Sequence, residues 1–159
     1  MSQSPEEVIA YKRARFATRL PVARRYTISH FWLREEEPGV WQVGFSKFAT
    51  RMLGELVEYE FSVTAGAQVE IGQSIGWAEG FKAVSDLYSV VAGEFLGGNP
   101  ALSRDITLVD SDPYQAGWLY SVRGVPDKNS VDVHGYIAAL DATIDKMLQS
   151  RHSEGDSDA

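Results

Sequence analysis

Residues 77–88 read Trp77-Ala78-Glu79-Gly80-Phe81-Lys82-Ala83-Val84-Ser85-Asp86-Leu87-Tyr88. Two runs of β-type side chains meet at Lys82, so a hairpin there pushes the lysine to its tip and into water. An exposed lysine on a turn is commonplace by itself. Its frame is less so. Gly66 lies sixteen residues before Lys82 and Gly93 eleven after it. Two similar β-halves joined at the hairpin would place such glycines at turns that need positive φ or a close backbone approach. Glu79 stands three residues before the lysine and Asp86 four after it. A lysine selected for enzymatic modification must be accessible, held on a rigid tip and framed by recognisable side chains. This segment offers all three, with Glu79 placed to report the hairpin's register to a modifying enzyme.

The β texture continues outward on both sides. Strands are expected over residues 26–28, 31–34, 40–45, 56–61, 68–70 and 74–81 before the lysine, and over 84–88, 93–97 and 118–122 after it. Glu36-Glu37-Pro38-Gly39 reads as the turn between the second and third. Many short strands with Gly-bearing turns make a small barrel or sandwich, not parallel βαβ units. Three helices are expected. The first covers residues 6–18, with Ser4 as N-cap, Pro5 at the first helical position and Leu20-Pro21 as its end. The second runs over 47–53, capped by Ser46 and closed by Gly54. The third covers about 134–148, where Ile137, Leu140, Ile144 and Met147 recur at helical spacing and pack onto the β body. The chain thus divides into a basic helical extension (1–25), a body (26–149) and an acidic tail (150–159) expected to be disordered.

Composition narrows the functional classes. The 159 residues are 44% hydrophobic with no stretch of the ~20 apolar residues that span a bilayer, and neither a membrane nor a secretory signal is expected. Cysteine is absent, which excludes disulfides and thiolate metal sites. If sulfur chemistry occurs here, an attached cofactor must bring it. Of the fifteen basic side chains six lie in residues 1–25, against two of the twenty-two acidic ones. The remaining body holds nine basic against twenty acidic groups, repelling nucleic acid and favouring partners with basic docking surfaces. No metal spacing, phosphate loop or nucleophile–base pair stands out, so a self-sufficient enzyme is the least supported class.

The sequence resembles the glycine cleavage H protein family over roughly residues 26–148. The matches fall in order at Tyr26-Thr27 with His30, Trp32-Leu33, Val43-Gly44, Leu53-Gly54, Gly66, Gly72, Glu79, Lys82-Ala83, Ser85-Asp86, Gly93-Glu94, Leu108-Val109 and Pro113-Tyr114 with Gly117-Trp118. Related biotin carriers place methionines on both sides of the lysine, whereas Phe81 and Ala83 flank it here. The resemblance implies a mainly β barrel-sandwich hybrid with short N-terminal, internal and C-terminal helices. It implies lipoate bound covalently to Lys82, framed by Glu79, Phe81 and Asp86, with His30 as candidate lining of a groove for the arm. It further implies a cytoplasmic, non-catalytic carrier. That carrier shuttles an aminomethyl group from glycine decarboxylase to aminomethyltransferase and is reoxidised by dihydrolipoamide dehydrogenase, after loading by a lipoate ligase or octanoyltransferase.

Several positions depart from the family pattern. Glu-Ser-Val before the lysine is Glu79-Gly80-Phe81 here, which suggests a more pliant approach to the tip and adds an apolar surface beside it. His-Glu-Trp is His30-Phe31-Trp32, Thr-Asp is Ser46-Lys47, the proline after the return strand is Val90, and an asparagine is Asp110. Two alternatives follow: an H-like carrier of a sulfur intermediate for a heterodisulfide-reductase-like sulfur-oxidation complex, or an unlipoylated interaction module. Trp32, Trp41, Trp118 and Trp77 are expected in the core, and Glu35–Glu37 as either a docking face or a solvated turn.

Overall fold

The computed structural model describes residues 6–157, so the expected cap at Ser4 and Pro5 lies outside the described residues. In chain order the elements are β1 (Val8–Arg13), β2 (Phe16–Pro21), β3 (Arg25–Tyr26), β4 (Phe31–Glu37), β5 (Val40–Phe45), α1 (Lys47–Leu53), β6 (Leu56–Phe61), β7 (Gln68–Val69), β8 (Ser74–Gly80), β9 (Val84–Tyr88), β10 (Val91–Gly98), α2 (Leu108–Ser111), β11 (Tyr120–Pro126) and α3 (Val133–Ser157). A 3-10 turn occupies Pro100–Ser103. The strands form a six-stranded sheet in the order β3-β4-β5-β11-β10-β7, a three-stranded sheet β6-β8-β9 and the separate hairpin β1-β2. This mainly β arrangement is the barrel-sandwich hybrid expected from the sequence.

The larger two sheets close on one apolar core that includes Leu33, Val43, Ile75, Leu87, Phe95 and Tyr120. Gly66 and Gly93 meet the conformational demands anticipated for them: Gly66 has φ +98° and donates to the Phe95 carbonyl, and a Cβ on Gly93 would lie 2.0 Å from the Arg123 oxygen. Strand β4 begins with three buried side chains in a row, Phe31-Trp32-Leu33. Such a run means both faces of the sheet are covered. Phe31 and Leu33 face the main core, while Trp32 joins a second cluster built from the β1-β2 hairpin, Phe48 and α3.

The expected helix over residues 6–18 is instead this hairpin. Its buried positions follow the period of a strand. Ile9, Tyr11 and Arg13 on β1, and Phe16, Thr18 and Leu20 on β2, alternate with more exposed neighbours. A two-residue turn joins the strands, with Ala14 at φ +54°, a position that favours glycine in such hairpins. Tyr11, Phe16 and Leu20 pack with Tyr136, Leu140 and Ile144 of α3, and this tertiary burial overrides the weak helical stripe. The Tyr11 hydroxyl donates to Asp141 at 2.8 Å and the Arg13 guanidinium forks onto Asp145 at 2.8 Å, tying hairpin to helix.

Helix α3 continues through Ser157, beyond the expected end near residue 148 and into the acidic tail. Extending a helix already anchored by packed turns adds one hydrogen bond per residue fixed, so polar residues are carried along at little cost. Among the described residues no helix is long and apolar enough to cross a membrane.

Candidate functional site

The site is built on the end of α1. Ser46 starts that helix, its hydroxyl accepting the Ala49 N–H at 3.4 Å, and Gly54 ends it at φ +77°. The last helical carbonyls need donors from elsewhere. The β8–β9 hairpin supplies one: the Lys82 N–H donates to the Leu53 carbonyl at 2.8 Å, and the Phe81 N–H reaches the Glu55 carbonyl at 3.1 Å. Within the turn, the Gly80 N–H donates to the Ala83 carbonyl at 2.9 Å.

Gly80 is therefore not a point of pliancy. It is buried, and a Cβ there would stand 2.2 Å from the Leu53 oxygen. Only glycine lets the hairpin seat this closely on α1. The backbone of the tip is clamped, while its side chains point outward. Phe81 is 78% exposed, Lys82 and Ala83 are exposed, and among the described residues the ammonium of Lys82 reaches only the Arg51 carbonyl, at 3.4 Å.

The surroundings of Lys82 are electrically divided. On one side lies the outer face of the three-stranded sheet. There Glu58 pairs with Glu79, and Glu60, Trp77 and Asp86 align across the three strands. Glu79 and Asp86 are thus exposed beside the tip, as the sequence suggests. Trp77 is half-buried on this acidic face and belongs to neither core cluster, contrary to expectation. Trp32 is fully buried with its indole N–H donating to the Pro113 carbonyl, and Trp41 and Trp118 pack against the two clusters. Glu35–Glu37 lie exposed at the β4–β5 turn, with Glu35 accepting the Gly39 N–H.

On the other side is a groove of about 870 Å³ between the β1-β2 hairpin, α1 and α3, with Lys82 in its wall. Its apolar surface comes from Phe16, Phe48, Met52, Ile144, Met147 and Leu148, and its cations are Arg13, Arg15, Arg51 and Arg151. These residues come from four distant segments. The basic head residues Arg13 and Arg15 are visible in the sequence, but nothing local shows that they converge on Lys82.

His30 does not line the groove. Its Nδ1 is hydrogen-bonded to the Tyr136 hydroxyl at 2.8 Å and its ring lies 4.5 Å from that of Phe48. Burial lowers its pKa from 6.5 to about 4, leaving the imidazole neutral near neutral pH. The same Tyr136 hydroxyl lies 2.7 Å from Ser46 Oγ, so His30 helps hold the start of α1. Among the described residues no cluster of His, Asp or Glu is arranged to hold a metal ion.

Comparison with known proteins decides the family. The model of the glycine cleavage H-protein matches residues 24–144. The chain belongs to this family. It is 36% identical over 129 residues to the glycine cleavage system H protein of Citrobacter koseri, covering 81% of this chain and 95% of that one. The H protein of Edwardsiella ictaluri is 37% identical over 125 residues, with 77% and 97% covered. The crystal structure of a glycine cleavage system H protein from Mycobacterium marinum superposes with a TM-score of 0.68 at 32% identity, covering 75% of this chain and 97% of that one. The β1-β2 hairpin lies before the matched region.

Other departures from the family pattern are absorbed structurally. The Val90 N–H donates to the Tyr120 hydroxyl at 3.2 Å, a bond a proline there cannot make. Lys47 Nζ donates to the Asp110 carbonyl at 3.0 Å, and the Asp110 carboxylate accepts the Leu56 N–H at 3.0 Å. The two changed residues meet beside the start of β6. Phe31 stacks on Phe45 inside the core, with centroids 5.4 Å apart.

Proposed function

We propose that this H-protein family member is a lipoyl carrier of the glycine cleavage system and that Lys82 is its attachment residue. The observation that carries the reading is the tip itself: an exposed lysine whose backbone is pinned to α1 and whose side chain is free to be modified. The site suits the group chemically. An amide on Nζ removes the ammonium charge while keeping one N–H that can still donate to the Arg51 carbonyl, and an apolar groove opens beside it. When bound, lipoate supplies the sulfur chemistry that a cysteine-free chain lacks and carries the aminomethyl unit left by glycine decarboxylation.

The chain's own part is mechanical and recognitive. Clamping at Leu53 and Glu55 fixes where the arm starts, so each transfer becomes nearly intramolecular, with effective concentrations on the order of mM. Glu79 and Asp86, with the neighbouring Glu58, offer a modifying lipoate ligase or octanoyltransferase an acidic face, and Phe81 offers an apolar contact. Glycine decarboxylase, aminomethyltransferase and dihydrolipoamide dehydrogenase are the partners this reading assigns. Catalysis belongs to them. Its relatives are glycine cleavage H proteins, which does not favour the sulfur-oxidation alternative. The seated Gly80 removes the main motive for an unmodified interaction module.

Lys82→Arg tests the role directly. The variant should unfold at the parent's temperature, since its backbone N–H still reaches Leu53, yet accept no lipoyl group and support no turnover by the glycine cleavage enzymes. Turnover at the parental rate would refute the assignment.

A further inference from the structure

The β1-β2 hairpin packs on α3 and the body through one face only. Tyr11, Phe16 and Leu20 point inward, so by strand alternation Val8, Ala10 and Lys12 on β1, with Ala17 and Arg19 on β2, point to solvent. All five are exposed. The register sets Ala10 opposite Arg19 and Lys12 opposite Ala17, so the two cations lie on a diagonal with an alanine beside each. A shallow depression of about 390 Å³ lies over this middle stretch, where the alanines leave it unfilled. Neither strand carries a carboxylate, and among the described residues no ion pair holds Lys12 or Arg19.

The outer face of the three-stranded sheet is its counterpart. Glu60, Trp77 and Asp86 form one row across β6, β8 and β9, and Glu58 and Glu79 begin the next. These four carboxylates are exposed, and no lysine or arginine occurs on the three strands. Trp77 stands half-buried in their midst and belongs to neither core. One surface thus offers an alanine-floored depression with a cation at two corners, and the other a tryptophan between carboxylates. Their spacings agree. Diagonal neighbours on a strand pair stand about 7–8 Å apart, and residues two strands apart in a sheet about 10 Å. Flexible lysine and arginine stems span the difference.

We propose that the outer face of the β1-β2 hairpin docks on the acidic sheet face of a second copy of this chain, with Trp77 over Ala10 and Ala17 and with Lys12 and Arg19 against Glu60 and Asp86. Complementarity of charge and shape together select this occupant. An anionic polymer or a membrane would meet the same two cations but has nothing to fill the depression. An arginine laid on the indole adds a cation–π contact to the ion pairs. The net charge of −7 opposes the approach of two copies, so the pairing comes from these local contacts and not from long-range attraction. Five hairpin side chains take part, which places the contact in the small, reversible class. Each molecule carries both surfaces, so a closed pair and a longer chain both satisfy it. The hairpin precedes the family-matched region, which begins at residue 24, and the contact is therefore a property of the extended chain.

Sedimentation of the full chain over a concentration series tests the contact. The mean mass should rise with concentration at an ionic strength of about 0.1 M and return to that of the monomer at about 1 M, as the screening length falls from about 10 Å to about 3 Å. Lys12→Glu with Arg19→Glu should leave a monomer, and so should Glu60→Lys with Asp86→Lys. An equimolar mixture of the two variants should associate again, because the basic hairpin of one meets the acidic face of the other. That recovery also shows both variants to be folded. A parent that is monomeric at every concentration, association that survives either pair of substitutions, or a mixture that stays monomeric would overturn the proposal. So would a monomeric parent that binds anionic phospholipid vesicles through Lys12 and Arg19, which would make the face a membrane contact. The lipoyl group on Lys82 is read separately by mass, and neither result of the sedimentation bears on it.

Discussion

His30 shows how a residue that reads as part of a site turns out to hold the site's support. Its imidazole is kept neutral by burial, with a pKa lowered from 6.5 to about 4. The unfolded chain takes up this proton as the pH falls below about 6.5, and the folded chain only near 4. Stability from His30 is therefore complete above the upper value and drains away as the pH falls toward the lower one, by as much as about 3 kcal/mol. His30 has φ +73°, a conformation that asparagine tolerates. His30→Asn should consequently lose less stability than the parent between pH 7 and 4.5 in urea unfolding. Equal losses in the two proteins would assign the acid sensitivity to other groups. Phe81 and Lys82, by contrast, are as exposed as the sequence suggests, because a three-residue hairpin tip leaves little choice.

At the scale of elements, the clamp between α1 and the β8–β9 hairpin is the feature that fixes the arm's origin. Gly80→Ala places a methyl group 2.2 Å from the Leu53 oxygen, which the backbone must yield to. We expect the free energy of unfolding to drop by on the order of 1–3 kcal/mol, with faster hydrogen exchange at the Lys82 amide as its bond to Leu53 loosens. A parental exchange rate would mean the hairpin does not depend on that seat. Most strand positions from residue 26 onward, and α1, were legible because alternation, Ser46 and Gly54 are local signals, whereas the short α2 and the Pro100–Ser103 turn were not. Nor was the head. Val8, Tyr11 and Thr18 give a faint helical stripe, while the true period-2 face of Ile9, Tyr11 and Arg13 includes an arginine, whose partner Asp145 is 132 residues away. An inward charge looks like a solvated one until its partner is placed. Trp77 misleads in the opposite sense: an aromatic side chain on an acidic sheet face reads as core.

For the whole molecule, two cores on opposite faces of the six-stranded sheet join hairpin, body and α3. The groove exists only because these three pieces converge on Lys82, so no local window of sequence contains it. The carrier's position in the family was legible from ordered motifs, and its electrical asymmetry was not. The central claim concerns one atom, Nζ of Lys82. Intact mass of the protein purified from its native host, with peptide mapping, tests it most directly. The account predicts a single lipoyl-sized increment on the peptide containing Lys82. An unmodified Lys82, in cells that lipoylate their other carriers, would contradict it.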